Sequence, residues 1–172
     1  FMLGQRLSGL DVDYRWVPIT QISPNAALAV IASEDQNFFD HWGVDILGIF
    51  RSIVMSVVKF EKAKGTSTLT MQLARNLNVG FGLERTWERK IKEIFTSIQI
   101  ERTYSKKEIL EMYLNINFFG SNSYGIQAAA RNFFSKDVEE MTIEESALLI
   151  GVLKGQSLYN PINNPDRAIA RR

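Results

Sequence analysis

The spacing of apolar and polar positions along the chain predicts a mostly helical protein. Ser23 and Pro24 form a helix start, an N-cap followed by proline at the first helical position, and this helix extends to about residue 33. Two later helices begin with a capping-box pattern, Ser105 with Glu108 and Thr142 with Glu145. Further helices are predicted over residues 44–60, from residue 66 or 67 onwards, and over residues 84–102, 123–134 and 142–154.

The segment over residues 44–60 has an unusual pattern, because 11 of its 17 residues are apolar and they spread around more than one helix face. It is too short to span a bilayer comfortably, and Asp45, Arg51 and Lys59 interrupt it. The pattern fits either a buried core helix or a helix that lies in a membrane interface. A basic loop over residues 62–65 follows, and we expect it to be poorly ordered.

Composition fits one folded domain, since the chain has 172 residues and 45% of them are hydrophobic. It contains no cysteine, which excludes disulfides, and one histidine, His41, which excludes a multi-histidine metal site. Charge is uneven: residues 51–107 contain 12 basic and 5 acidic residues, a local net charge of +7. This excess indicates an anionic partner or, equally well, a solvated helical face. Both ends look cut, so we expect a fragment of a longer chain.

Four segments contain residues suited to catalysis or substrate binding. Each segment alone is equally well explained by a structural role, such as a helix cap, a surface salt bridge or a core position. In EDQNFFDHWG, residues 34–43, Glu34 and Asp35 lie beside aromatic residues, a setting that tunes a carboxyl for proton transfer. In GTSTLTMQLARN, residues 65–76, small hydroxyl residues precede a helix whose start is suited to phosphate or sugar. In RKIKE, residues 89–93, Arg89 and Glu93 are i, i+4 neighbours. In KEILEMYLNINFFG, residues 107–120, Tyr113 and Asn115 follow core positions.

The order and spacing of these segments are more specific than any one of them. EDxxFxxHxG, GxSTLTxQLxxN, RKxxE and KxxILxxYLNxxxxG resemble the ordered motifs of the family 51 glycosyltransferases, the peptidoglycan polymerases. The family includes monofunctional enzymes and the N-terminal domain of class A penicillin-binding proteins. Met71 and Arg75 depart from the commonest glutamine and lysine of the second motif, and Arg75 keeps the charge.

The resemblance implies a substrate, a reaction and roles for residues. The expected reaction joins lipid II to a growing glycan strand with inversion and releases undecaprenyl pyrophosphate. Glu34 matches the catalytic base, and Glu93 matches the second family glutamate, which orients cations or helps to hold a divalent ion (Mg or Mn) near the pyrophosphate; no cofactor is required. Arg75, Arg89 and Lys90 match positions assigned to phosphate. Other expected substrate contacts are Asp35, Phe38, His41, Ser67, Thr68, Gln72, Asn76, Tyr113 and Asn115.

The resemblance also implies a mainly α, lysozyme-like fold with a large helical lobe and a small membrane-facing jaw over about residues 44–64. We expect a location on the bacterial cytoplasmic membrane, with the domain on its outer or periplasmic face. Moenomycin-type inhibitors are expected to bind, and nucleic acid is not. Two alternatives stay open, a lysozyme-like glycoside hydrolase acting on peptidoglycan and a non-enzymatic module that docks on membranes or anionic glycans.

Overall fold

The computed structural model describes residues 14–59, 67–77 and 86–172, and the predicted basic loop over residues 62–65 lies outside them. Within these ranges the protein is mainly α, as predicted, with no β-strand. The α-helices are α1 (Pro24–Glu34), α2 (Ile46–Lys59), α3 (Leu69–Leu77), α4 (Trp87–Thr103), α5 (Lys106–Ile116), α6 (Ile126–Phe134), α7 (Ile143–Val152) and α8 (Pro165–Arg171). Helix α8 and the short 3₁₀ helices Ile19–Gln21 and Val138–Glu140 were not predicted from the sequence.

The predicted capping residues agree with the structure, and several helix starts differ from the prediction. Helix α6 begins at Ile126, three residues later than predicted. Thr142 and Glu145 form the complete capping box at α7, and Ser105 and Glu108 exchange bonds at the start of α5. Asp45 does not interrupt α2: its Oδ1 accepts a bond of 2.7 Å from the backbone N–H of Gly48, so this carboxylate caps the helix. Helix α4 begins at Trp87, later than predicted, because the Thr86 side chain accepts from the Arg89 backbone N–H.

The chain divides into two compact units, which we call the terminal unit and the central unit. The central unit is Glu34–Tyr113, and the terminal unit comprises the residues up to Ser33 together with Leu114–Arg172. The expected jaw lies inside the central unit, and its boundaries stay a prediction.

In the terminal unit, α7 packs against α6 and α8. Asn115 fixes the segment around Val17, which precedes α1. Its side-chain amide accepts a bond from the N–H of Val17 and donates one to its C=O, each at 2.8 Å. Gly125, with φ of +83°, lies so close to the Asn115 carbonyl that a Cβ would be 2.6 Å from its oxygen. Only glycine fits at this position.

In the central unit, α3 packs against α4, and Leu69, Met71 and Leu73 of α3 are buried. Leu69, Leu73 and Leu77 are spaced four residues apart, which predicts one apolar stripe. The stripe is confirmed at Leu69 and Leu73, whereas Leu77 at the end of the helix is half exposed. This packing fixes the polar side of α3, which contains Gln72 and Arg75.

Candidate active site

The central unit places one carboxylate in a chain of hydrogen bonds. Glu34 is the last residue of α1, and its Oε2 accepts a bond of 3.1 Å from Nε2 of Gln72 on α3. Gln72 Oε1 in turn accepts a bond of 3.1 Å from the phenol of Tyr113 on α5. Three of the predicted site residues, far apart in sequence, thus meet side chain to side chain.

A second cluster is cationic and is organised around Glu93. This glutamate is almost fully buried on α4, and its two oxygens lie 3.3 Å from Arg89 Nε and 3.5 Å from Lys90 Nζ. Lys90 also donates a bond of 2.7 Å to the hydroxyl of Ser67. The i, i+4 pair of Arg89 and Glu93 that RKIKE predicts therefore exists, and its glutamate is the more deeply buried member.

The charge of Arg75 acts on one residue of each cluster, Lys90 beside Glu93 and Tyr113 in the Glu34 chain. Burial lowers the pKa of Lys90, and the positive charges of Arg75 and Arg89 lower it further, whereas Glu93 opposes this shift. The Arg75 charge also acts on Tyr113, where it opposes the raising of the pKa by burial and by Glu34. One arginine is therefore near enough to influence the lysine of the cationic cluster and the phenol of the Glu34 chain.

A buried network joins the loop after Glu34 to the start of α3. The Gly43 N–H donates to His41 Nδ1 at 3.2 Å, so the ring proton is on Nε2, which donates to Asp35 at 2.9 Å. Asp35 Oδ2 also accepts a bond of 2.9 Å from the backbone N–H of Leu69. The Thr68 hydroxyl donates to the Gly43 carbonyl at 2.6 Å. These contacts hold the loop that follows Glu34 against α3.

Gly43, the last residue of the first motif, has a backbone position that favours glycine. Its φ is +90°, and a Cβ there would lie 3.0 Å from the backbone of Ser97 on α4. A side chain at this position would be strained and would displace that backbone.

Lys106 was not predicted as a site residue, although it is the first residue of the KxxILxxYLNxxxxG pattern. Its Nζ donates to the His41 carbonyl at 2.6 Å and to Glu101 at 2.8 Å, and it lies 4.5 Å from the centre of the Phe38 ring. Glu101 also accepts from the hydroxyl of Thr70. Glu101 could not be found from sequence, because its acidic position in an amphipathic helix looks like an ordinary surface charge.

Several expected substrate contacts are buried and have partners within the protein. Phe38 is fully buried and contacts Phe39 and His41, and Asp35, His41 and Thr68 are buried in the network described above. Asn115 is fully buried in the terminal unit, where it binds Val17. Their contact with substrate stays a prediction. Arg75 and Asn76 are exposed at the end of α3.

Helix α2 presents an exposed apolar surface, as predicted for an interfacial helix. The most exposed members are Leu47 at 75%, Ile46 at 73%, and Val57 and Val58 at 68%. Phe50, Val54 and Met55 are exposed as well, whereas Ile49 is half-buried. We call these seven exposed residues of α2 the apolar face. Across the described ranges, no helix has the length and apolar character needed to cross a bilayer.

Glu34 and the cations Arg75, Arg89 and Lys90 thus lie in one unit, where Glu93 faces two of the three cations. The chain belongs to the transglycosylase family, whose model matches residues 4–172. This confirms the resemblance inferred from the four motifs and the class of enzyme, a peptidoglycan glycosyltransferase domain.

Curated relatives agree with this assignment. The chain is 45% identical over 160 residues to penicillin-binding protein 1A of Escherichia coli strain K12. This alignment covers 92% of the chain and 19% of the relative. It is 43% identical over 157 residues to penicillin-binding protein 1A of Aquifex aeolicus, and 43% identical over 157 residues to penicillin-binding protein 2D of Bacillus subtilis. These matches cover 91% of the chain and 21% and 22% of the relatives, so the chain spans about a fifth of their length.

Proposed function

We propose that this domain polymerises lipid II into β-1,4-linked glycan strands, with Glu34 as the general base. The acceptor 4-hydroxyl attacks the anomeric carbon of the donor, its proton passes to Glu34, and the bond to the lipid pyrophosphate breaks. An α-linkage becomes a β-linkage, so configuration inverts. The observation that supports this proposal best is the anchored carboxylate of Glu34 in the same unit as the Arg75, Arg89 and Lys90 cations.

The cations match the charge that develops on the leaving pyrophosphate. Lys90 and Arg89 are fixed by Glu93 and Ser67, so little reorganisation is needed when negative charge appears. Burial lowers the pKa of Lys90, and a partly buried charge attracts an anion more strongly than a fully hydrated one. Glu93 acts in this proposal as the group that orients both cations.

The residues around Glu93 do not suit a resident divalent ion. Each Glu93 oxygen already faces a cationic side chain, and within the described ranges no three acidic or histidine residues cluster as metal ligands do. We therefore derive no step through a metal ion, and a Mg or Mn ion near the pyrophosphate stays an untested prediction.

The geometry favours transfer over the hydrolase alternative. A glycoside hydrolase needs a carboxylic acid to protonate the leaving group and a second carboxylate on the other side of the bond. Glu93 is held by two cations, which suits a carboxylate that orients charges and not one that gives up a proton. A hydrolase also has no need of three cations beside its carboxylates.

We also propose that the apolar face of α2 rests in the bacterial cytoplasmic membrane, on its outer or periplasmic side. A lipid-tailed substrate then reaches the site without leaving the bilayer, and the exposed Arg51 extends toward lipid headgroups. Inhibitors of the moenomycin type, expected from the family resemblance, are proposed to occupy the same site.

Labelled lipid II tests the reaction. Glu34→Gln keeps the shape of the side chain and removes the base, so turnover should fall by about 10²–10⁴-fold while the melting temperature changes little. Glu139→Gln changes an exposed glutamate of the terminal unit and is the control. Products are resolved on a gel. A Glu34→Gln variant that polymerises at the parent rate would exclude Glu34 as the base, and no polymer from the parent chain would exclude the reaction.

Liposome flotation tests the membrane contact. Replacing both Phe50 and Val54 with serine should weaken binding to anionic vesicles and slow the reaction on long-tailed lipid II more than on a short-tailed analogue. The control replaces Leu28 and Ile169, which are similarly exposed apolar residues outside α2, with serine. Equal binding by the two double variants would show that membrane contact arises elsewhere.

A further inference from the structure

The bonds between Glu34, Gln72 and Tyr113 have a direction that chemistry fixes. An ionised carboxylate only accepts hydrogen bonds, so Gln72 must turn its Nε2 toward Glu34. Its Oε1 then faces the Tyr113 phenol, which must donate. The reverse amide orientation would place two acceptors, Oε1 of Gln72 and Oε2 of Glu34, against each other.

The surroundings of Tyr113 keep its phenol in the donating form. The side chain is only 1% exposed, and burial together with the negative charge of Glu34 raises its pKa far above the usual value, with Arg75 opposing in part. The phenol therefore retains its proton throughout the working pH range. Because Tyr113 is enclosed, it has almost no surface to offer a substrate.

We propose that Tyr113 is a positioning residue: its hydroxyl holds the Gln72 amide in the one orientation that donates to Glu34. It acts on the base through Gln72. This inference rests on the proposed role of Glu34 and replaces the expectation that Tyr113 contacts substrate. Without the hydroxyl, the amide is free to turn over, which removes a bond from the charged form of Glu34 and makes the carboxyl easier to protonate.

Other charges around Glu34 stay in place when the hydroxyl is removed. Arg75 on α3 influences Tyr113 and is exposed at the helix end, and Asp35, the next residue after Glu34, remains bonded to His41 and Leu69. A change in the titration of Glu34 in a Tyr113→Phe variant is therefore attributable to the Tyr113–Gln72 link.

Kinetics on lipid II across pH test the inference. Tyr113→Phe keeps the buried ring and should lower kcat by about tenfold, the effect of one hydrogen bond to a charged group, with KM unchanged. The acidic limb of the kcat profile should move to higher pH. Tyr104→Phe removes an exposed phenol of the same unit and should leave both unchanged.

A double-mutant cycle with Gln72→Met separates positioning from packing. Methionine has no amide to orient, so adding Tyr113→Phe in that background should cost nothing further in kcat. Additive losses, a parent-like pH profile for Tyr113→Phe, or a rise in KM alone would each overturn the inference. Circular dichroism melts set an assay temperature at which every variant is folded.

The same set of variants distinguishes the two proposals. If Glu34→Gln is inactive while Tyr113→Phe behaves as the parent, only the positioning role fails. If Glu34→Gln retains full activity, the proposed base fails, whatever Tyr113→Phe does.

Discussion

The two units differ in what they bury. In the central unit the buried polar side chains include the charged or chargeable groups Asp35, His41 and Glu93. In the terminal unit, among the residues that the structure describes, every buried polar side chain is a neutral amide or hydroxyl: Ser23, Asn115, Asn117, Ser123, Gln127, Ser146 and Asn160.

This difference shows two uses of buried polarity. Neutral groups such as Asn115 and Gln127 satisfy backbone at turns and chain entries, at the modest cost of desolvating an amide. A buried charge costs much more and persists only where it is paired, as Glu93 is with Arg89 and Lys90. The unit that accepts this cost is the one with the proposed catalytic groups, where a desolvated and fixed charge acts more strongly on a substrate.

The largest expected effect is a loss of stability when an ion pair is broken. One ion pair from each unit is compared. Lys106→Met should destabilise the protein by about 3–5 kcal/mol, because it leaves the enclosed Glu101 carboxylate without its cationic partner, with only the Thr70 bond that is described above. Lys136→Met breaks a more exposed pair with Glu145 in the terminal unit and should cost about 0.2–1 kcal/mol. Urea denaturation measures both. Equal losses would mean that the units do not differ in their dependence on ion pairs.

The next largest effect is a loss of activity. It tests whether the cationic cluster around Glu93 contributes to catalysis. Lys90→Ala should lower polymerisation by about 10²–10³-fold, the usual loss when one fixed donor to a developing anion is removed. Stability should change less, because Glu93 keeps Arg89. Lys92→Ala removes an exposed lysine from the same helix and should be close to neutral. If Lys90→Ala shifts only the melting temperature, the cluster is a structural ion-pair network.

The smallest effect concerns the carboxylate that caps α2. The bonds from Asn37 and Gly48 hold the pKa of Asp45 below the unfolded value of 3.8. Its charge therefore stabilises the fold above that value, and this contribution is lost as the pH falls through the lower folded pKa. Asp45→Asn keeps the cap acceptor but loses the charge at the helix start, which should cost about 0.3–1 kcal/mol at pH 7.

Melting temperatures at neutral and acidic pH check this prediction. The difference between parent and Asp45→Asn should disappear well below pH 3.8, whereas Asp40→Asn, a change at an exposed side chain, should show little difference at either pH. A deficit in Asp45→Asn that persists unchanged in acid would show that the charge is not its cause.

Local signals in the sequence determined the helices and the identity of the motif residues. Ser23–Pro24, the Thr142–Glu145 box and the leucines of α3 depend on neighbours within a few positions, so their structure followed from sequence. The Arg89–Glu93 pair was predictable for the same reason, since residues four apart share a helix face. The exposure of α2 agrees with the interfacial interpretation, one of the two that its apolar pattern allowed.

Tertiary structure alone decided which motif residues have structural partners and which remain for chemistry. Tyr113 meets Gln72, and Lys106 meets Glu101 and His41, through contacts between different helices, which no local spacing encodes. The burial of Phe38 and Asn115, which both belong to the motifs, likewise depends on the folded chain. Side-chain chemistry sets what a residue can do, but the free energy of desolvation and the direction of each hydrogen bond depend on neighbours that only the folded chain supplies.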